Sequence, residues 1–295
     1  MSIQTLVGFA LTVSIFLGVL AIGIRVAAAD LPYVLSRPSR LARSLLAMNV
    51  LYPIVAVMVC KVFSLHPAVV VALVTLAIAP VGAMFSQAML PLVTPGHAAY
   101  ARGLFFASTV LSVILTPLAV EVIEATFGGS AHVNPLAVAK VVVGGVLLPL
   151  GLGVAIARWQ PGARAWVPTI QKTSSIVLLV CGVVIIAAAW SLMTSVLREG
   201  TTTAIVLMTL IGLAIGHVLG GTDEDDRTVL AFATVSRHPG VALVVAGLTD
   251  QPLAPIAALL AVLVTELAVI PYKMWRKRLH TAGPPGAMRP HTRAH

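Results

Sequence analysis

Charged residues are scarce in this chain of 295 residues, making up only 10% of it, and aromatic residues account for 5%. Hydrophobic residues instead make up 59%, and the mean hydropathy is +1.01. A soluble domain of this length cannot bury that much apolar surface, which excludes a soluble protein. The composition and its long apolar runs predict an all-α polytopic membrane protein embedded in the lipid bilayer.

Cysteines and catalytic motifs are also scarce. The two cysteines, Cys60 and Cys181, fall inside long apolar segments, where buried thiols are expected rather than a disulfide or a metal site. The chain has no P-loop, no HExxH pair, and no paired carboxylates or Ser/His/Asp set at membrane depth. These absences disfavour ATP-driven transport and an intramembrane enzyme, so we expect no enzymatic activity and no cofactor.

Nine hydrophobic segments follow one another along the chain, and each is long enough for a helix to cross the hydrocarbon core, which takes about 20 residues. Their approximate bounds are Leu6–Ala29, Leu41–Phe63, Pro67–Leu92, Ala98–Phe127, Pro135–Ala157, Val167–Leu197, Thr201–Gly220, Arg227–Leu248 and Pro252–Trp275. We therefore predict nine transmembrane helices within residues 1–278. Residues 279–295, rich in proline, glycine and histidine, are predicted to form a disordered cytoplasmic tail.

Basic residues are concentrated in alternate connections between these segments. They are Arg37, Arg40, Arg43, Arg102, Arg158, Arg164, Lys172 and Arg227, followed by Lys273, Arg276, Lys277 and Arg278. The positive-inside rule then predicts a multi-pass protein of the inner membrane with its N-terminus outside and its C-terminus in the cytoplasm. The net charge of +9 is thereby explained without a nucleic-acid partner. The acidic run Asp223–Asp226 falls on the cytoplasmic side, where we expect a solvated loop.

The eighth segment is interrupted near its middle by Arg237, His238, Pro239 and Gly240 in succession. Proline removes a backbone donor and clashes with the preceding turn, so the helix is expected to break here. A charged group at mid-membrane depth is rare because it costs roughly 2.5–3.5 kcal/mol. Irregular backbone at that depth is tolerated only where protein or a water-filled cavity satisfies it. The stretch therefore predicts a broken helix with a binding site at the break.

The third segment carries a similar interruption, with Pro80, Gly82, Ser86 and Gln87 inside an otherwise apolar run. Paired interruptions at corresponding places in two halves of a chain point to the midplane site of a transporter. If one helix is missing at the front, both broken helices are the fourth of their half. This arrangement predicts an inverted repeat, about 1–130 and 131–278, whose two discontinuous helices cross.

Several runs of the sequence resemble the bile acid:sodium symporter family. R-P-S-R-L-A-R-S-L-L-A-M-N-V-L-Y-P from Arg37 resembles the junction of its second and third helices, and A-P-V-G-A-M-F-S-Q from Ala79 resembles its fourth. The runs from Thr109 and Lys140 are similar to its fifth and sixth helices, and the eighth segment lies where the family has E-x-G-x-Q-N-S-G-L-A. The resemblance implies a nine-helix member that lacks the first helix, with panel and core domains and broken helices that cross in the core.

The resemblance also implies where sodium ions would bind, and this chain departs from the family there. The family's glutamate, glutamine and asparagine of the E-x-G-x-Q-N motif correspond to Ala233, Arg237 and His238, and the third-helix glutamine falls on Met48, beside Asn49. A unit positive charge about 4 Å from a sodium ion costs about 4 kcal/mol at an effective dielectric of 20. We therefore expect sodium-independent or proton-coupled transport.

The candidate substrate- and ion-binding residues lie at the two breaks, at positions that match the family, or at membrane depth. They are Asn49, Pro80, Ser86, Gln87, Thr109, Ser236, Arg237, His238 and Glu266. Arg237 is either a structural charge, paired with Glu266 or with helix carbonyls, or a forked contact for an anion. His238 is either a hydrogen-bonded core histidine or a proton carrier, a role that Glu266 could share.

Two functions remain open from the sequence. The first is a secondary transporter that moves a small organic anion by alternating access, with sodium or protons as the coupling ion. The second is a transport-inactive membrane sensor or scaffold that keeps the transporter fold, which the loss of the family's sodium ligands favours.

Overall fold

The computed structural model describes residues 3–25, 36–82, 92–127, 135–197 and 200–282. In these ranges the chain is helical apart from short connections. The α-helices are α1 (Ile3–Arg25), α2 (Pro38–Leu46), α3 (Tyr52–Val62), α4 (Pro67–Ile78), α5 (Pro95–Phe127), α6 (Pro135–Val142), α7 (Leu148–Trp159), α8 (Val167–Val196), α9 (Thr201–Leu219), α10 (Glu224–Val235), α11 (Pro239–Gly247) and α12 (Ala254–Ala282). A π-helical turn joins α2 to α3 (Ala47–Leu51) and another joins α6 to α7 (Val143–Leu147), while a 3₁₀-helix (Pro161–Trp166) precedes α8.

Seven helical stretches in the described part of the chain are long and apolar enough to cross a membrane. The other two predicted segments are the interrupted ones. The eighth is divided into α10 and α11, of 12 and 9 residues, and the described part of the third is α4, of 12 residues. The protein is therefore an all-helical, multi-pass membrane protein, and the count of nine spans stays a prediction. At the other end of the chain, α12 continues to Ala282, past the predicted start of the tail.

The helices pack in two groups. In the first, α1 packs against α7 and α8, and the hydroxyl groups of Ser14 and Ser174 each donate to the other's carbonyl oxygen, at 2.6 and 2.7 Å. In the second, α3, α4, α9, α10, α11 and α12 form a continuous set of contacts. The groups meet where α6, which continues into α7 through the π-helical turn, contacts α11 and where α8 contacts α12. The division into panel and core domains stays a prediction.

The acidic run at the start of α10 is not the solvated loop that we expected. Asp223 caps the helix by accepting hydrogen bonds from the backbone N–H groups of Asp225 and Asp226, at 2.9 and 3.1 Å. Asp226 is only 2% exposed and its Oδ2 lies 2.7 Å from Nη1 of Arg40. The solvated-loop expectation was wrong for Asp226, which is buried and paired with Arg40, whereas the side chains of Asp223 and Glu224 are 47% and 56% exposed.

The same acidic run connects other parts of the second group. Glu224 accepts a hydrogen bond from Nη1 of Arg276, on α12, at 2.5 Å, and Asp225 accepts one from the backbone N–H of Thr94 at 2.9 Å. These partners all belong to connections or flanks that the loop charges assign to one side of the membrane. The ion pairs therefore gather those connections at one end of the bundle.

Candidate functional site

The two interrupted segments contact each other directly at their breaks. The N–H of Gly82 donates to the carbonyl oxygen of Ser236, and the N–H of His238 donates to that of Pro80, both at 2.8 Å. Val81 and Arg237 thereby form an isolated antiparallel bridge. Residues 80–82 and 236–238 are thus extended and paired at the places where the sequence predicts breaks.

Glycine at position 82 allows this close approach. A Cβ atom at this position would lie 2.8 Å from the carbonyl oxygen of Arg237 and 3.1 Å from its carbonyl carbon. Real Cβ atoms essentially never approach backbone as closely as the first of these distances. A side chain at residue 82 would therefore push the two breaks apart.

The carbonyl groups at the end of α4 find their partners in other helices. The carbonyl oxygen of Ile78 accepts a hydrogen bond from Oγ1 of Thr116, on α5, at 3.1 Å. That of Ala79 accepts one from Nη1 of Arg237 at 3.1 Å, and that of Pro80 accepts one from the N–H of His238. Because the last carbonyls of a helix have no donor within it, these contacts satisfy backbone that would otherwise be buried without a hydrogen bond.

Arg237 is 5% exposed and uses all three of its nitrogen atoms. Nε donates to the carbonyl oxygen of Thr234 at 2.9 Å, Nη1 to that of Ala79, and Nη2 to that of Met48. The guanidinium carbon also lies 5.1 Å from the centroid of the Tyr52 ring, within the range of a cation–π contact. The side chain therefore joins α10, α4 and the π-helical turn at a single point.

The π-helical turn explains why the carbonyl of Met48 is free to bind Arg237. The N–H of Tyr52, which would reach Met48 in an α-helix, donates to Ala47 instead. The next residue is Pro53, which has no N–H to donate. Met48 thus loses both of its helical donors, and the guanidinium takes their place.

Of the two structural partners predicted for Arg237, the structure has the helix carbonyls, and its role as a contact for an anion stays a prediction. Glu266, the other proposed partner, lies 3.4 Å from Nζ of Lys273 on its own helix, and 43% of its side chain is exposed. The pairing of Arg237 with Glu266 is therefore not the one that forms. Glu266 as a proton carrier stays a prediction.

His238 is 2% exposed and caps the N-terminus of α11. Its Nδ1 accepts a hydrogen bond from the N–H of Val241 at 3.4 Å, so the neutral ring carries its hydrogen on Nε2. Within the described residues, Nε2 is buried and has no hydrogen-bond partner. Beside it, a Cβ atom at Gly240 would lie 2.6 Å from Cδ1 of Ile15, on α1. The N-terminus of α11 therefore lies where the two helix groups touch.

Other predicted residues occupy different places. Asn49 lies in the π-helical turn and Thr109 within α5, and the Nδ2 and Oγ1 atoms of these side chains are buried without a partner among the described residues. Pro80 and Ser236 contribute backbone carbonyl groups to the bridge. Ser86 and Gln87 lie outside the described residues.

Sequence reasoning missed Tyr52 and Thr116. Tyr52 is fully buried and its hydroxyl group has no partner in the described ranges, while its ring lies against Arg237. A tyrosine in an apolar segment is read as packing, and only the adjacent Pro53 could have indicated an irregular turn here. Thr116 lies in a run of apolar residues, with no signal that it binds the end of another helix.

These contacts decide whether a sodium ion fits at Arg237. Three carbonyl oxygens of the kind that bind hard cations converge there, but the guanidinium already binds each of them. No carboxylate in the described ranges forms an ion pair with Arg237. The residues at this point therefore do not fit a sodium ion.

The described helices form a multi-pass bundle in which the end of α4 pairs with the break between α10 and α11, and the comparison with known families agrees with a membrane protein of this kind. Residues 12–196, more than half of the chain, match the sodium bile acid symporter family. The chain belongs to this family, whose members are transporters. The matched range contains the first break and ends before the second. No curated protein matches the chain.

Proposed function

We propose that this protein is a secondary active transporter that moves a small organic anion by alternating access between the two helix groups, without requiring sodium. Membership of the family supports the class of activity and of substrate. The observation that carries the proposal is the bridge between Val81 and Arg237, because it holds the N-terminus of α11 inside the bundle.

An anion is the ligand best suited to that position. The N-terminus of a helix carries a partial positive charge and attracts negative groups, and transporters place such half-helix ends at their substrate sites. Nε2 of His238 adds a buried hydrogen-bond donor, and Ile15 brings the first helix group to the same place. An anion bound there would contact both groups, as alternating access requires.

Sodium coupling is disfavoured by Arg237, which adds a fixed positive charge where the family places sodium ligands. A proton is the remaining coupling ion in this proposal, with His238 as its carrier because its ring is buried beside the anion site. Glu266 is the second candidate carrier.

The proposed location is the inner membrane, with the N-terminus outside and the C-terminus in the cytoplasm. The loop arginines support this orientation. Cysteines introduced at Ser2 and after Lys277 are expected to react with impermeant reagents from opposite sides of intact cells. Labelling of both from the same side would contradict the orientation and the inverted repeat together.

Uptake into proteoliposomes tests the function directly. Small carboxylates and sulfonates are offered with a sodium gradient, with a proton gradient, and with sodium replaced by choline. We expect uptake of at least one anion to continue in choline and to be lost in His238→Ala. His217→Gln, which alters a histidine that bonds to Tyr272 on another part of the bundle, is the matched control and should retain uptake. Uptake that stops without sodium would contradict the proposal.

The second candidate function is a transport-inactive sensor or scaffold. It is favoured by the hydrogen bonds from Arg237 to three backbone carbonyl groups. These bonds fix helix ends that are open to ions in other members of the family. Saturable binding of an anion to the purified protein, together with no uptake under any gradient, would support the sensor over the transporter.

A further inference from the structure

The contacts of Arg237 have the form of a cation-binding site. Its three acceptors, the carbonyl oxygens of Met48, Ala79 and Thr234, come from three separate stretches of chain. Each is at a place where the helical bonding ends: in the π-helical turn, at the C-cap of α4 and in the last turn of α10. Carbonyls at helix C-termini carry partial negative charge, which favours a cation.

The acceptors are held in place without help from Arg237. Met48 lies in a helix whose donors are withdrawn by the π-helical turn and Pro53. The break after Ala79 is fixed by the bridge between Val81 and Arg237 and by the bond from Thr116 to Ile78, neither of which uses the guanidinium. The carbonyl groups therefore stay close together when the guanidinium is removed.

From these contacts we propose that the Arg237 side chain is a built-in cation that fills a carbonyl-lined cation site, and that truncating it exposes this site to small cations from solution. The proposal deepens the proposed sodium-independent function, on which its biological meaning rests. The site itself would accept guanidinium best, since it matches the shape and the donor directions of the native group, and sodium more weakly through its affinity for carbonyl oxygen.

The test uses thermal unfolding of the purified full chain and needs no transported substrate. In Arg237→Ala, we expect guanidinium at millimolar concentration to raise Tm, by roughly 3–5 °C for each tenfold increase above its Kd. Sodium in place of choline should raise Tm in the same variant at higher concentration. The wild-type protein should respond to neither cation.

Two controls separate a cation site from a general effect of salt. Arg237→Met keeps much of the side-chain volume without the charge, so it should respond to neither cation. Arg158→Ala removes an exposed arginine at the end of α7 and should behave as the wild type. A response confined to Arg237→Ala supports the proposal. The same response in the wild type or in Arg158→Ala would overturn it, as would no response in a folded Arg237→Ala protein.

A second pair of variants covers the case in which Arg237→Ala does not fold. Arg237→Lys keeps the charge with a single donor group, whereas Arg237→Gln keeps planar donors without the charge. A cation site requires Arg237→Lys to be the more stable of the two, and a more stable Arg237→Gln would overturn the proposal. Because these are stability measurements, loss of transport alone contradicts the proposed function and leaves this inference standing.

Discussion

Arg237 and Arg276 are equally buried, at 5% exposure each, but their charges are balanced in different ways. Arg276 donates to a carboxylate oxygen of Glu224 at 2.5 Å and to its carbonyl oxygen at 2.7 Å, at the end of the bundle that gathers the loop charges. Among the described residues, Arg237 donates only to carbonyl oxygens, at the paired breaks of α4 and α10, which we call the crossing. Carbonyl groups are dipoles without net charge, so the crossing retains a net positive charge that the Arg276–Glu224 pair does not have.

This difference supports a structural role for the Arg276–Glu224 pair and the proposed binding role for the region around Arg237. The ion pairs at the start of α10 hold the connections between helices together. Because their opposite charges cancel, they leave little net electrostatic potential to attract a charged ligand. The crossing stabilises its cation by hydrogen bonds to carbonyl oxygens, and its positive charge remains available to an anion nearby. Two equally buried arginines therefore point to different roles once the charge of their acceptors is counted.

The largest expected effect comes from truncating the two arginines in turn. Arg237→Ala leaves three buried carbonyl oxygens without a donor, at about 1–3 kcal/mol each, so we expect a loss of at least about 3 kcal/mol of stability. Arg276→Ala should cost about 1–2 kcal/mol, because the side chain of Glu224 is 56% exposed and can be hydrated. Thermal unfolding in one detergent compares them, and equal losses would remove the distinction between the two regions.

The pair of Arg40 and Asp226 is expected to show an asymmetry. Asp226 is 2% exposed whereas Arg40 is 30% exposed, so removing the arginine leaves a buried carboxylate while removing the acid leaves a cation that reaches water. Arg40→Ala should therefore cost about 3 kcal/mol and Asp226→Asn about 1 kcal/mol. A double-mutant cycle measures the coupling, and a larger loss in Asp226→Asn would contradict this account of the acidic run.

At the crossing, Gly82→Ala tests the close approach of the two breaks. The added Cβ must move away from the carbonyl group of Arg237, and we expect a loss of about 1–3 kcal/mol together with reduced uptake. Gly144→Ala is the matched control, since nothing lies within 4 Å of a Cβ there, and it should keep or raise stability, by up to about 1 kcal/mol, because alanine favours a helix more than glycine does. Similar losses in both variants would indicate a general glycine effect instead.

The smallest effect is expected at the cap of α10. Burial raises the pKa of Asp223, but hydrogen bonds from the N–H groups of Asp226 and Asp225 and the nearby His97 outweigh it and hold the pKa below its ordinary value. The cap therefore stabilises the helix above the ordinary pKa, and this stabilisation is lost as the pH falls through the lowered value. Asp223→Ala should cost about 1 kcal/mol at neutral pH and Asp223→Asn much less, because asparagine also caps helices. Equal losses in acid and at neutral pH would contradict a role for the carboxylate charge.

The sequence was sufficient for the membrane class, the family and the positions of both breaks, since these depend on composition and on proline and glycine. It could not predict the acceptors of Arg237, because backbone carbonyls carry no residue-specific signal and Met48 is 189 residues from Arg237 in the chain. The acidic run was misread for a similar reason. Its partner Arg40 was recognised as a loop charge, but only the packing of α2 against the start of α10 makes the two an ion pair.

The contact between Ala79 and Arg237 also fixes an order of events during biogenesis, because 158 residues separate the two. At the usual rate of synthesis, about 5–20 residues per second, the first break emerges from the ribosome roughly 8–30 s before the arginine that completes it. During that interval the backbone of residues 79–82 has to be shielded by the translocon or by water. The contacts of residues 79–82 are therefore completed only after the second break has been synthesised, so this early part of the chain folds later than its position in the sequence suggests.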